Sequence, residues 1–295
     1  MVKKRNLVLG AVRGYNFEQL RPFVVSLQRT AFEGDLVLLW NNLSDETLNS
    51  LDKHGVKLVH FSYRGNGALN SWSRFWQAIR PVVRLPIGNL LRRVIYKKIL
   101  NLAFVRYIHA LEFLEASASR YNQVLLTDVR DVIFQDDPFR DPLPGNITAF
   151  LEAPHMMFGC EPMNDDWIKT NYGAEMTEKV SGNRISCCGT VMGTATGIID
   201  YLRVFIAEIM QLKSVAHGAD TSVHNVLVHD VLVNKIAIAE NFHGAVGTMS
   251  RGILTGFLEI TNGYVSSPKR LPVPVLHQYD RNPEMAEQLV VKLTA

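Results

Sequence analysis

Cysteine is scarce in this chain of 295 residues: only Cys160, Cys187 and Cys188 occur. An odd count with two cysteines adjacent argues against a disulfide framework and for a reducing compartment. Long apolar runs are missing as well. No window holds about 18 uncharged apolar residues, so no membrane-spanning helix is expected. The run Leu7–Val12 that follows the basic N-terminus soon meets Arg13 and is too short for a signal-peptide core. Charge of one sign is also lacking. A net charge of +3 is too small for a protein that holds a nucleic-acid backbone, and no nucleic-acid partner is expected. No internal repeat or low-complexity tract is present. What remains is an ordinary globular balance, 47% hydrophobic against 20% charged, in a chain long enough to bury a sizeable core. The expectation is a soluble cytoplasmic protein.

The first third reads as alternating strands and helices. Leu7–Val12 is a buried strand that ends in the turn signal Arg13-Gly14-Tyr15. Helical spacing of Leu20, Phe23, Val24 and Leu27 predicts a helix over 17–30. Asp35–Trp40 is a second strand. Ser44 is a plausible N-cap for a short helix to Lys53, and Val56–Phe61 is a third strand. This rhythm belongs to a parallel sheet with crossover helices, a Rossmann-like α/β fold. A helix over 102–119 leads into a fourth strand, Gln123–Thr127, and 136–146 reads as a loop. The second half reads as a turn-rich stretch (160–185), a Gly/Thr segment (186–197), helices over 198–213 and 221–232, and a strand over 235–239.

Residues 64–100 break the rhythm. Trp72, Trp76, Arg80, Arg84, Arg92, Arg93, Lys97 and Lys98 are interleaved there with Leu, Ile and Val. One reading is a solvated helix face with a loop. The other is a cationic amphipathic surface that meets anionic lipid or an acidic acceptor, with peripheral membrane contact through 84–98 in the first case.

The strongest chemical signal is the apolar strand that runs through Thr127 straight into Asp128 and Asp131. Ligands bind at the carboxyl ends of strands in open α/β sheets. Two carboxylates held there can bind a hard cation, Mg²⁺ or Mn²⁺, through oxygen. Such a cation can bridge the phosphates of a nucleoside diphosphate and neutralise the charge that develops as it leaves. In a strict strand Asp128 and Asp131 point to opposite faces. They share a metal only if the strand bends or ends near Val129. The bland alternative is a loop salt bridge from Asp131 to Arg130 or Arg140.

On these residues the chain resembles the GT-A glycosyltransferases, especially those with a lipopolysaccharide galactosyltransferase or glycogenin-like layout. Their hallmark is an apolar strand that ends in Asp-x-Asp. Here the spacing is three, and Arg130 stands where the second Asp would be. The resemblance implies that Ala11, Arg13 and Tyr15 hold the nucleotide of a nucleotide-sugar donor, with Tyr15 stacked on the base; packing of Tyr15 against the following helix is the alternative. It implies that Arg106 touches the donor, unless it is a solvated helix arginine. It implies that Gly189 and Thr190, in Ile185-Ser-Cys-Cys-Gly-Thr190, line the sugar site, where a glycine lets backbone approach a ligand. Asp220, in Gly218-Ala-Asp-Thr-Ser-Val-His-Asn225, would bind the transferred sugar or lie under its reacting carbon. Thr221 replaces the family's Gln there, and an N-cap role for Asp220 competes. His277 would complete the metal shell with Asp128 and Asp131, and Arg281 would sit on the phosphates.

The resemblance therefore implies one GT-A-like domain over 1–295, with a mostly parallel central sheet flanked by helices. Residues 1–135 would form the nucleotide-binding half and 136–295 the acceptor and catalytic half. The activity implied is metal-dependent transfer of a sugar, from a UDP-sugar by preference, to a glycan or glycolipid acceptor. Three alternatives stand beside it. A haloacid dehalogenase-type phosphohydrolase needs an acid where Arg130 stands, and arginine does not release a proton at neutral pH. A nucleotidyltransferase needs a Gly-rich triphosphate loop, of which Gly10-Ala-Val-Arg-Gly14 is a thin version. A non-catalytic glycan-binding protein could keep the same fold without turnover.

Overall fold

The computed structural model describes residues 4–63, 80–81, 88–215, 217–250, 260–266 and 271–295. Trp72, Trp76 and Arg84 lie outside the described residues. A seven-stranded sheet is built from β1 (Arg5–Arg13), β2 (Asp35–Asn41), β3 (Lys57–His60), β4 (Tyr121–Thr127), β6 (Ile147–Leu151), β7 (Ser186–Thr194) and β8 (Ala237–Ala239). Their order is β3-β2-β1-β4-β7-β6-β8. All neighbouring pairs are parallel except those made by β7, which runs against both β4 and β6. The expected mostly parallel sheet is thus present.

Strand alternation sets the two cores. Leu7 and Leu9 of β1 and Val37 and Leu39 of β2 pack on one face, with α4 (Leu102–Ser117) and α7 (Ala195–Glu208). Val8 and Val12 of β1, Leu38 of β2 and Leu125 of β4 pack on the other, with Leu20, Phe23, Val24 and Leu27 of α1 (Phe17–Gln28). Successive side chains of a strand point to opposite faces, and a parallel strand covered on both sides must be apolar throughout. That is why β1 reads as an unbroken apolar run. The helix starts follow local capping chemistry. Asn16 and Gln19 form a capping box on α1. Ser44 accepts from Thr47 N at 3.2 Å to cap α2 (Asp45–Lys53), as expected.

Some boundaries differ from the sequence reading. The Gly/Thr segment is β7, a central strand of small residues, and α7 begins at Ala195 rather than 198 and ends at Glu208. β6 was not anticipated. The next helix, α8 (Ala219–Val226), follows Gly218 at φ +73° and continues into a wider turn over 227–231. Asp220 is therefore inside the first turn and is not the N-cap.

A second sheet decides where the site forms. β5 (Val132–Phe134), β12 (Val275–His277) and β9 (Val246–Thr248) pair in the order β5-β12-β9. His277 lies opposite Val132, the residue after Asp131. The C-terminal segment is folded back beside the acidic turn in this way. Its outer side is covered by α9 (Pro283–Thr294) through Leu289 and Leu293.

Candidate functional site

β4 ends at Thr127, and the turn 128–131 separates it from β5. The strand therefore stops before its alternation can send Asp131 away from Asp128. Oxygens of both carboxylates and a ring nitrogen of His277 lie within 4.8 Å of one another. Small side-chain movements would close such a group on a cation with bonds of about 2.0–2.2 Å.

Three features of these residues fit a cation. First, His277 is buried and its Nε2 has no hydrogen-bond partner. It stands 3.8 Å from Asp128 Oδ2, too far for a hydrogen bond. A buried polar atom without a partner is costly, and an atom aimed at a shared ligand is one way to remove that cost. On the other side of the ring, Thr248 Oγ1 is 3.5 Å from Nδ1. Second, Gly189 leaves the space open. A Cβ on this residue would stand 2.5 Å from His277 Nε2 and 2.7 Å from Asp128 Oδ2. The Gly189 carbonyl accepts from Asp128 N at 2.7 Å and fixes the acidic turn against β7 at that separation. Third, the charge balance is negative. Asp128, Asp131, Asp220 and Glu152 face Arg106 and Arg281 in this cluster, an excess of acid that a divalent cation would neutralise.

Arg106, on the first turns of α4, pairs with Asp128 and reaches Asp220 Oδ2 at 3.4 Å. It also donates to Tyr107 Oη at 3.0 Å, and that hydroxyl donates to Cys188 O at 3.3 Å. The guanidinium thus ties the end of β4 to the start of α8. Burial raises the Asp128 carboxyl, but Arg106 and His277 outweigh it and hold the group well below the usual carboxylate range. Burial pushes Asp131 and Asp220 upward; His277 opposes this at Asp131 and Arg106 opposes it at Asp220. Burial alone would lower His277, yet Asp128, Asp131 and Glu152 together raise it.

Ala11, Arg13, Tyr15, Arg106, Asp128, Asp131 and Asp220 line one cleft together with Leu102, Ala103, Val129 and Arg130. The cleft has a volume of about 370 Å³, within the range of small-ligand sites. Arg13 donates to Asn41 Oδ1 at 3.3 Å and lies over the Tyr63 ring at 5.3 Å. Tyr15 lines the cleft and is also packed, partly buried, against the core under α1. Gly189 lines a smaller cavity behind Asp128. Thr190 is not at the cleft; it is wholly buried in β7, opposite Thr127. Arg281 donates to Asp131 Oδ2 at 3.1 Å and also pairs with Asp280, while Arg130 pairs with Asp280 at 3.0 Å. The alternative pairing of Asp131 with Arg130 or Arg140 is not what forms, since Arg140 is held by Asp136 and Asp141.

Sequence reasoning missed Glu152. It is buried at the end of β6 beside Cys187 and faces His277, and burial raises its carboxyl. Its signal was available: Ile147-Thr-Ala-Phe-Leu-Glu152 is another apolar strand that ends in an acid, as at Asp128.

No family model and no curated protein sequence matches the chain. Solved structures do. An active-site mutant of LgtC aligns over 97% of this chain and 94% of its own, with a TM-score of 0.54 and 13% identity. The galactosyltransferase LgtC in complex with donor and acceptor sugar analogues aligns over 98% and 96%, with a TM-score of 0.51 and 13% identity. The chain has the GT-A fold. In this GT-A fold the acidic turn, the folded-back histidine and the cleft occupy one end of the sheet, at the carboxyl ends of β1 and β4. No helix among the described residues is long and apolar enough to cross a membrane.

Proposed function

We propose that this protein is a divalent-metal-dependent glycosyltransferase that takes its sugar from a nucleoside-diphosphate donor, preferably a UDP-sugar. The observation that carries the reading is the Asp128–Asp131–His277 group, whose two carboxylates stand in the wall of the cleft lined by Ala11, Arg13 and Tyr15 while His277 is buried behind them. Mn²⁺ or Mg²⁺ held by these three residues would neutralise the donor diphosphate as it leaves. An imidazole among the donors favours Mn²⁺ over Mg²⁺, which prefers an all-oxygen shell.

The chain's own residues supply the rest. Residues 1–135 carry the nucleotide side of the cleft: Tyr15 offers a flat face for a base, and Arg13 a cation beside it. Arg106 positions Asp128 and Asp220 with one guanidinium, so the metal end and the sugar end of the cleft are held at a fixed separation. Asp220, which lines the same cleft, would be the carboxylate that meets the transferred sugar. Its hydrogen bond from Thr221 N at 3.0 Å holds the side chain at the start of α8. Arg281 steadies Asp131, and in that position it would lend its charge to the phosphate end of the cleft. Residues 136–295 carry the acceptor side, where a glycan or glycolipid hydroxyl would approach. A screen of UDP-, GDP-, CDP- and ADP-sugars by thermal shift, with and without Mn²⁺, tests the proposal. A ligand that binds only the folded state raises the melting point. A rise with a UDP-sugar that requires Mn²⁺ supports the reading; no rise with any donor in the presence of Mn²⁺ overturns it.

A further inference from the structure

Helix α3 (Asn89–Ile99) packs Ile95, Tyr96 and Ile99 against the core and yet presents three aliphatic side chains outward. Leu90, Leu91 and Val94 are 75%, 53% and 40% exposed, whereas Tyr96 on the opposite side is buried. At 3.6 residues per turn, Leu90, Val94, Lys98 and Leu91 fall within an arc of about 100°. A helix of a soluble protein ordinarily turns such a stripe toward the core. The helix also carries Arg92, Arg93, Lys97 and Lys98 and no acidic residue. Glu115 is shared between Arg93 and Arg203 of α7, and Glu112 takes Lys97, so the acids of the neighbouring helix offset only part of this charge. Arg92 and Arg93 project from the other side of the helix, where with Arg203 they line a shallow cavity against α4 and α7, so Lys98 is the cation within the apolar arc.

We propose that α3 docks the protein on an anionic lipid bilayer. Leu90, Leu91 and Val94 would enter the headgroup boundary, and Lys98 in the same arc would meet lipid phosphates. The combination selects this partner. A polyphosphate chain has no use for three exposed aliphatic side chains. A second copy of the chain, paired on this face, would set cations against cations. An anionic bilayer accepts both features, as interfacial amphipathic helices do. The placement also has a consequence for access. α3 is about 17 Å long and leads directly into α4, whose first residues, Leu102 and Ala103, line the cleft. The cleft mouth would therefore lie close to the lipid surface. The docking surface stands independently of the transferase reading, and its test measures no activity.

The test is flotation of the full chain with vesicles of phosphatidylcholine alone and of phosphatidylcholine mixed with phosphatidylglycerol. Binding to the mixed vesicles only, weakened by salt, is expected. The combined variant Leu90→Ser, Leu91→Ser, Val94→Ser and the single variant Lys98→Glu should each lower partitioning by roughly fivefold or more. All four residues are exposed, so the thermal melting points of the variants should match the parent. Equal partitioning onto both vesicle types, absence of binding to either, or unchanged binding of the triple variant overturns the proposal. So does a concentration-dependent dimer, seen by sedimentation, that the triple variant dissolves, because the face then belongs to a second copy.

Discussion

Gly189→Ala is the sharpest perturbation of the candidate metal site, because it adds one carbon where the cation would sit. The new Cβ would stand 2.5 Å from His277 Nε2 and 2.7 Å from Asp128 Oδ2. Non-bonded heavy atoms need roughly 3.5 Å. Both donor atoms must retreat by about 1 Å, well beyond the ~0.2 Å tolerance of a metal shell. A loss of roughly 10- to 100-fold in Mn²⁺ affinity, about 1.4–2.7 kcal/mol, is expected. The backbone of Gly189 lies in a regular strand, so the fold persists, less the ~1–3 kcal/mol typical of an overpacked site. Paramagnetic resonance titration of Mn²⁺, with circular dichroism to confirm folding, reads the effect. A folded Gly189→Ala protein that binds Mn²⁺ as tightly as the parent would refute the placement of the cation between Asp128 and His277.

Three further expectations follow, two at the site and one elsewhere in the fold. His277→Ala removes the nitrogen donor and should weaken Mn²⁺ by roughly 10- to 100-fold, while Mg²⁺, which prefers oxygen, suffers less; equal losses for both ions would count against a direct nitrogen ligand. Tyr15→Ala should lower UDP affinity in calorimetry by about 1–3 kcal/mol with Mn²⁺ affinity unchanged, and an unchanged UDP affinity would leave Tyr15 a packing residue only. Glu208 is a pH test of stability away from the site. Burial pushes its carboxyl up to about 7, with Tyr172 opposing and Asp230 adding. A folded-state value above the unfolded one means that stability is lost as pH rises from about 4.3 toward 7. Glu208→Gln should therefore raise the melting point more at about pH 8 than at about pH 5, and an equal gain at both would contradict the shift.

The legible part of the fold was the part whose strands are covered on both faces. β1, β2 and β4 appear as apolar runs because a central parallel strand has no solvent face. β7 was read as a Gly/Thr segment because Ser186-Cys-Cys-Gly-Thr190 lacks the branched and aromatic residues that mark strands. Its small residues are explained by what crowds it, His277 and Asp128 at Gly189 and the Asn146 carbonyl at Gly193. The second sheet was invisible: β5, β9 and β12 are three residues each, too short for a period to register. Asp128 and Asp131 stood out because an apolar strand runs into them. His277 carries no such local signal, since it reaches them through pairing across more than a hundred residues, and only the resemblance pointed to it. The roles of Thr190 and Arg281 could not be separated from their neighbours in the sequence, because one side chain faces the sheet interior and the other is taken by Asp131 and Asp280.

The central claim is that the acidic turn and His277 hold a cation for a nucleoside diphosphate. Calorimetry of UDP against the parent and Asp128→Asn, each with and without Mn²⁺, measures it most directly. Without the cation the diphosphate would face Asp128 and Asp131 unshielded. The account predicts UDP binding to the parent that requires Mn²⁺ and fails in Asp128→Asn, and weaker binding of GDP. Binding of UDP that is indifferent to Mn²⁺ and to Asp128→Asn would contradict it.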